Sequence, residues 1–141
     1  MSISARVHYA ALAMLELALR GDASAPVAVR EITDRHGIPG PFLVQILRTL
    51  RAAGWVQSVR GSQGGYRLVV SPEQITLLDI AEAVGCQDAG CQTEAHATPA
   101  DEMLQEFWDE AAEASRQALS RARLSDLVER CRHGDATMFY I

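Results

Sequence analysis

The chain has 141 residues, 48% of them hydrophobic, and its 13 cationic side chains are all arginine against 18 acids, a net charge of −5. That size allows one compact domain, or one domain with an accessory helix, around a real core. The absence of a secretory leader and of any membrane-length apolar run excludes a membrane partner and leads us to expect a cytoplasmic protein.

The charge is unevenly placed. Residues 1–70 hold eight arginines against four acids, and residues 71–141 hold five against fourteen. The basic half is therefore the place to look for a nucleic-acid contact, and any cationic side chain that touches phosphate must be an arginine.

Ser4 to Arg20 predicts a helix apolar over most of its circumference, with Ala5, Tyr9, Leu12, Ala13, Leu17 and Leu19 available for burial. After Gly21, the PVAV stretch from Pro26 leads into VREITDRHGIPGPFLVQILRTLRAAGWV. This has the layout of a helix-turn-helix: a short helix with Ile32 inward, a turn at Gly37, and a longer helix with Pro41 in its first turn and Gly54 past its end. Leu43, Ile46, Leu47 and Leu50 recur at helical spacing, which leaves Gln45, Arg48, Thr49 and Arg51 on the free face. Arginine can bond guanine and glutamine can bond adenine through two hydrogen bonds in a major groove.

The next segment, VQSVRGSQGGYRL from Val56 to Leu68, reads as a β-hairpin. Val56, Val59, Tyr66 and Leu68 suit paired strands, and Gly61, Gly64 and Gly65 suit the tip. Arg60 and Arg67 flank it. Arg60, Gly61, Ser62, Gln63, Gly64, Gly65 and Tyr66 form the candidate wing contact to DNA, where glycine lets backbone N–H groups approach a phosphate and arginine clamps it or enters a minor groove. Helix, glycine stop and wing in this order point to double-stranded DNA more strongly than any one of them does alone.

Ser71-Pro72 marks a turn and Thr76 suits the cap of a short helix, Leu77 to Val84. Gly85 to Pro99 has no periodicity and reads as a loop. A long helix is expected from about Ala100 to Arg121, with Leu104, Phe107, Trp108, Ala111, Ala114, Ala118 and Ala122 at spacings of three or four. Such a seam can pack on its own domain or cross a second copy; the first helices and wing already make a closed unit, which favours a homodimer reading a two-fold operator.

The loop carries Cys86 and Cys91, with His96 beyond them, while Cys131 falls in a helical tail that begins near Ser125. Thiolates and an imidazole on a loop suit a soft metal or an iron-sulfur cluster, though two thiols can equally be free. An electron carrier would leave the wing arginines without purpose. No enzyme reading emerges: RGSQGG lacks the lysine and hydroxyl of a phosphate-binding loop, and no nucleophile with a nearby base can be picked out.

The opening ARVHYAALAMLELAL, the helix-turn-helix and wing core, the ITLLDIAEAV helix and the RLSDLVE tail together resemble the Rrf-two (Rrf2) family of bacterial transcription regulators, whose members include IscR, NsrR and CymR types. The most specific piece is the wing, matched from Gly54 to Leu68. The resemblance implies a mainly α fold with a small β-hairpin wing, that is, a winged helix-turn-helix plus a long dimerisation helix. It divides the chain into a DNA-binding domain at 1–84, a sensor loop at 85–99, and a dimerisation helix with C-terminal tail at 100–141. It also implies an iron-sulfur cluster that senses redox state, iron or nitric oxide, of the 2Fe-2S or 4Fe-4S type that many members hold in this loop, with 2Fe-2S the expectation here. Cluster-binding members carry three loop cysteines; here Cys86 and Cys91 match the first two, the third is missing, and His96 falls near its place. Several members take a fourth ligand from the first helix of the other subunit, at the position held here by His8. The implied ligand set is thus Cys86, Cys91, His96 and His8. The alternative is a regulator without a cluster that uses a thiol switch or a small ligand. Pro39, Gly40 and Val44 depart from the serine, charged residue and glutamate common in the family's reading helix, so a relative's operator sequence does not carry over.

Overall fold

The computed structural model describes residues 3–21, 25–85 and 97–138. It begins with α1, Ala5–Leu19, whose start is set by Ser4: its side-chain oxygen accepts the Val7 N–H at 3.3 Å. Ala10, Ala13, Met14, Leu17 and Ala18 are buried, and the alanines let neighbouring helices approach closely. Ala5, expected inward, is exposed. It stands about 140° around the helix from Ala10, off the buried face. Tyr9, Leu12 and Leu19 are half-buried against the rim of the core.

The helix-turn-helix follows as α2, Val29–His36, and α3, Gly40–Ala52. Gly37 closes α2 in the left-handed conformation (φ 66°) that a side chain would strain. Ile32 from α2 and Leu43, Ile46, Leu47 and Leu50 from α3 are buried, as their spacing predicts. A charged network also joins α1 to α2. Glu16 is only 2% exposed, with Oε1 at 3.2 Å from both Arg20 and Arg35 and Oε2 at 3.1 Å from His36 Nε2. A buried carboxylate is costly unless matched in this way. Arg20 also donates to Glu31, and that bond raises the pKa of its guanidinium against the opposing effect of burial.

Strands β1, Val56–Val59, and β2, Gly65–Leu68, pair antiparallel with Val56 opposite Leu68 and Ser58 opposite Tyr66. Val27 adds a third chain to the hairpin through two backbone bonds of 2.8 Å, Val27 N–H to Tyr66 O and Tyr66 N–H to Val27 O. This pairing crosses 39 positions and anchors the wing to the start of the helix-turn-helix.

After a 3-10 turn at Pro72–Gln74, α4 spans Leu77–Val84 and opens on a reciprocal cap. Thr76 Oγ1 accepts the Asp79 N–H at 3.1 Å and Asp79 Oδ2 accepts the Thr76 N–H at 2.9 Å. The long helix α5, Pro99–Arg121, has no buried residue. Helix α6, Leu124–Met138, returns to the core: Leu124 N–H donates to Ile75 O at 2.7 Å, Leu77 N–H donates to Ala122 O at 2.8 Å, and Leu124 and Val128 are buried with the residues of α1.

Candidate nucleic-acid interface

Because Leu43, Ile46, Leu47 and Leu50 face inward, the remaining positions of α3 face outward. Phe42, Gln45, Arg48 and Arg51 are all exposed. Arg51 Nη1 donates to Ser58 Oγ at 3.3 Å, a link from the end of the reading helix to the first wing strand. Thr49 is half-buried; its hydroxyl donates to Gln45 O at 3.2 Å and accepts from Arg6 Nη2 at 3.4 Å.

At the wing tip, Arg60, Gly61, Ser62 and Gln63 are exposed. Gly64, Gly65 and Tyr66 are half-buried, and they sit where the protein's own backbone is close. A Cβ on Gly65 would come 2.1 Å from Val27 O, and one on Gly64 would come 2.2 Å from Val59 O. Intramolecular packing accounts for these two glycines. Gly61, with φ 117° and open space around it, is the tip glycine that a phosphate can approach. Tyr66 packs against the core and holds the hairpin in place, while Gln57 and Arg67, paired across the strands, point outward.

Among the described residues, no carboxylate pairs with Arg48, Arg51, Arg60 or Arg67. Four guanidinium groups on the reading helix and wing therefore keep their charge available to an anion. Sequence reasoning missed Arg6. It belongs to the first turn of α1, yet it reaches the reading helix at Thr49, and its Nε is buried without a hydrogen-bond partner among the described residues. Only the packing of α1 on α3 brings it there.

The expected metal ligands divide differently. Cys86, Cys91 and His96 lie outside the described residues. His8 is exposed on α1, its ring 6.4 Å from that of Tyr9. Gly85, the residue before Cys86, backs onto α1: a Cβ there would lie 3.4 Å from Val7 Cγ2. Gly85 thus lies beside the turn of α1 that carries Val7 and His8. Cys131 is a half-buried free thiol in α6. Among the described residues no group of three or more His, Cys, Asp or Glu is gathered to hold a metal ion, and no helix is long and apolar enough to cross a membrane.

Residues 3–130 match the family model described as Rrf2, iron-dependent transcriptional regulator. The chain belongs to this family. It is 32% identical over 132 residues to the protein rrf2 of Nitratidesulfovibrio vulgaris, with 91% of this chain and 87% of that one covered. Against the HTH-type transcriptional regulator IscR of Aliivibrio salmonicida it is 40% identical over 84 residues, 60% of this chain and 49% of that one, so it spans about half the length of that relative. The solved structure of T. potens IscR superposes with a TM-score of 0.74 at 29% identity and covers 93% of this chain and 88% of that one. The Rrf2 chain is accordingly a winged-helix transcriptional regulator rather than an enzyme.

Proposed function

We propose that this Rrf2 regulator acts in the cytoplasm as a homodimeric repressor that reads a two-fold operator and senses redox state, iron or nitric oxide through a cluster in the Cys86 to His96 loop. The observation that carries the DNA reading is the outward row of α3 beside the exposed wing tip, with guanidinium groups on both that pair with no carboxylate among the described residues. Helix α3 enters a major groove, where Gln45 and Arg48 meet base edges. Arg60 and the open backbone at Gly61 meet a phosphate or the adjoining minor groove. Arg51 keeps wing and helix in register through Ser58, and Arg6 reaches the same helix from α1 through Thr49.

The donor chemistry suits an iron-sulfur cluster. Cys86 and Cys91 supply thiolates, and His96 and His8 supply imidazoles, a mixed set that raises the potential of a cluster and favours sensing. His8 is exposed on α1, so its ring is open to a second copy of the chain, the side from which the family resemblance draws a fourth ligand. When bound, such a cluster contributes reversible one-electron chemistry and a loop conformation that depends on its presence. The chain's own part is to join this segment in sequence to α4 before it and α5 after it, and those helices can pass a few kcal/mol of preference to the placement of the two reading heads.

Two experiments test the reading. Arg60→Ala should weaken operator binding and lower the slope of log affinity against log salt by about 0.9, one phosphate contact, while Arg48→Ala should weaken binding and relax the preference at the base pair it meets. Unchanged affinity and slope in both variants would remove helix and wing from the interface. Separately, protein purified without oxygen should absorb between about 300 and 700 nm with matching iron and sulfide. Cys86→Ala and Cys91→Ala should abolish the bands, and His96→Ala should shift or abolish them. A wild-type protein that stays colourless after anaerobic reconstitution would overturn cluster sensing and leave a DNA-binding regulator whose signal enters through thiols or a small ligand.

A further inference from the structure

The first turn of the reading helix has an unusual surface for a protein that reads DNA. From Pro39 to Val44 the residues are Pro, Gly, Pro, Phe, Leu and Val, none with a side-chain hydrogen-bond donor or acceptor. Leu43 is fully buried, but Phe42 is 54% exposed although it is a large apolar side chain. It sits three residues before Gln45 and six before Arg48, in the same outward row of α3. In a helix-turn-helix, the N-terminal part of the second helix is the part that meets base edges. The major groove offers one apolar mark there, the C5-methyl group of thymine.

We propose that Phe42 is a specificity-determining residue that packs on the C5-methyl group of a thymine in each half-site. The inference rests on the DNA-binding reading above and names what its first turn recognises. Exposure of the ring in the protein alone is then the state before binding, and the flanking Gln45 and Arg48 hold the polar edges of the neighbouring base pairs. With no polar side chain in the turn, the operator is read at this position by shape and methyl contact alone. Exchange of thymine for cytosine removes the methyl, and exchange for a purine fills the space with polar edge atoms.

The probe is a duplex enriched by the wild-type protein from a randomised library, then resynthesised with each thymine in turn replaced by deoxyuracil. That change removes the methyl group and leaves every hydrogen-bonding group in place. At one thymine per half-site, wild-type affinity should fall roughly fourfold, the size of one buried methyl group. Phe42→Ala should bind the parent duplex more weakly and show no further loss with deoxyuracil at that position, while Phe42→Leu should keep part of the discrimination. Because the ring is exposed, both variants should melt with the wild type. An enriched duplex that tolerates deoxyuracil everywhere, or an equal deoxyuracil penalty in Phe42→Ala, would overturn the role of Phe42 and leave DNA binding standing. Failure of the wild type to enrich any duplex would overturn both.

Discussion

In the proposed homodimer, replacement of Phe107 and Trp108 together by aspartate is expected to leave a monomer and to lower operator affinity by about two orders of magnitude. The two rings are 59% and 52% exposed in the single chain, and Met103 and Leu104 beside them are 52% and 45% exposed. A helix of 23 residues with none buried is an uncovered apolar surface of a kind that marks an association site. Charge placed at its centre desolvates poorly against a second copy and repels its own image across a two-fold axis. Since α5 contributes no buried side chain to the core, the variant should keep wild-type helical circular dichroism. Sedimentation equilibrium at micromolar concentration reads the outcome directly. A dimer that survives both aspartates would show that another surface holds the copies together. With one reading head per particle, each half-site is bound alone and the gain from linkage is lost.

The second large effect is on stability. Gly65→Ala is expected to cost about 3 kcal/mol, roughly 10 °C in melting temperature. The new Cβ would lie 2.1 Å from Val27 O, 2.4 Å from Val27 C and 2.8 Å from Ala28 N. All three are backbone atoms, so no side-chain rotation relieves the clash. The two Val27 to Tyr66 hydrogen bonds must open, and with them the packing of Tyr66 on the core. Gly134→Ala is the matching control. Among the described residues nothing lies within 4 Å of a Cβ there and it stands inside α6, so its effect should be neutral or stabilising by a few tenths of a kcal/mol. Thermal melts of the two variants should therefore separate widely; coincident melts would show that the wing is not anchored through Val27.

Gly65 shows how far local reasoning reaches. A glycine-rich hairpin tip is legible from VRGSQGGYRL, because strand-forming residues on each side and glycine between them need no distant information. That Gly65 is demanded by Val27, rather than by a phosphate, is not legible: the partner lies 38 residues earlier and is brought in only when the fold closes. Likewise the helical period of Leu43, Ile46, Leu47 and Leu50 identifies which face of α3 is free, whereas the arrival of Arg6 at Thr49 depends on the crossing of α1 over α3. Glu16 looks like an ordinary surface acid within α1. Its burial becomes tolerable only when Arg35 and His36 are delivered from α2.

The sequence by itself determined the elements whose causes are local. The Thr76 and Asp79 cap starts α4, the leucine period sets the inward face of α3, the turn at Gly37 ends α2, and the arginines of residues 1–70 place the basic surface on the reading half. These follow from hydrogen bonds and side-chain directions within a few residues, which the order of amino acids specifies directly. Tertiary structure decided the rest: the third chain on the wing at Val27, the pairing of Glu16, the return of Leu124 and Val128 to the core of α1, and the exposure of Phe107 and Trp108. Each depends on which surfaces meet when the chain excludes water, and that is a property of the whole packing rather than of any segment.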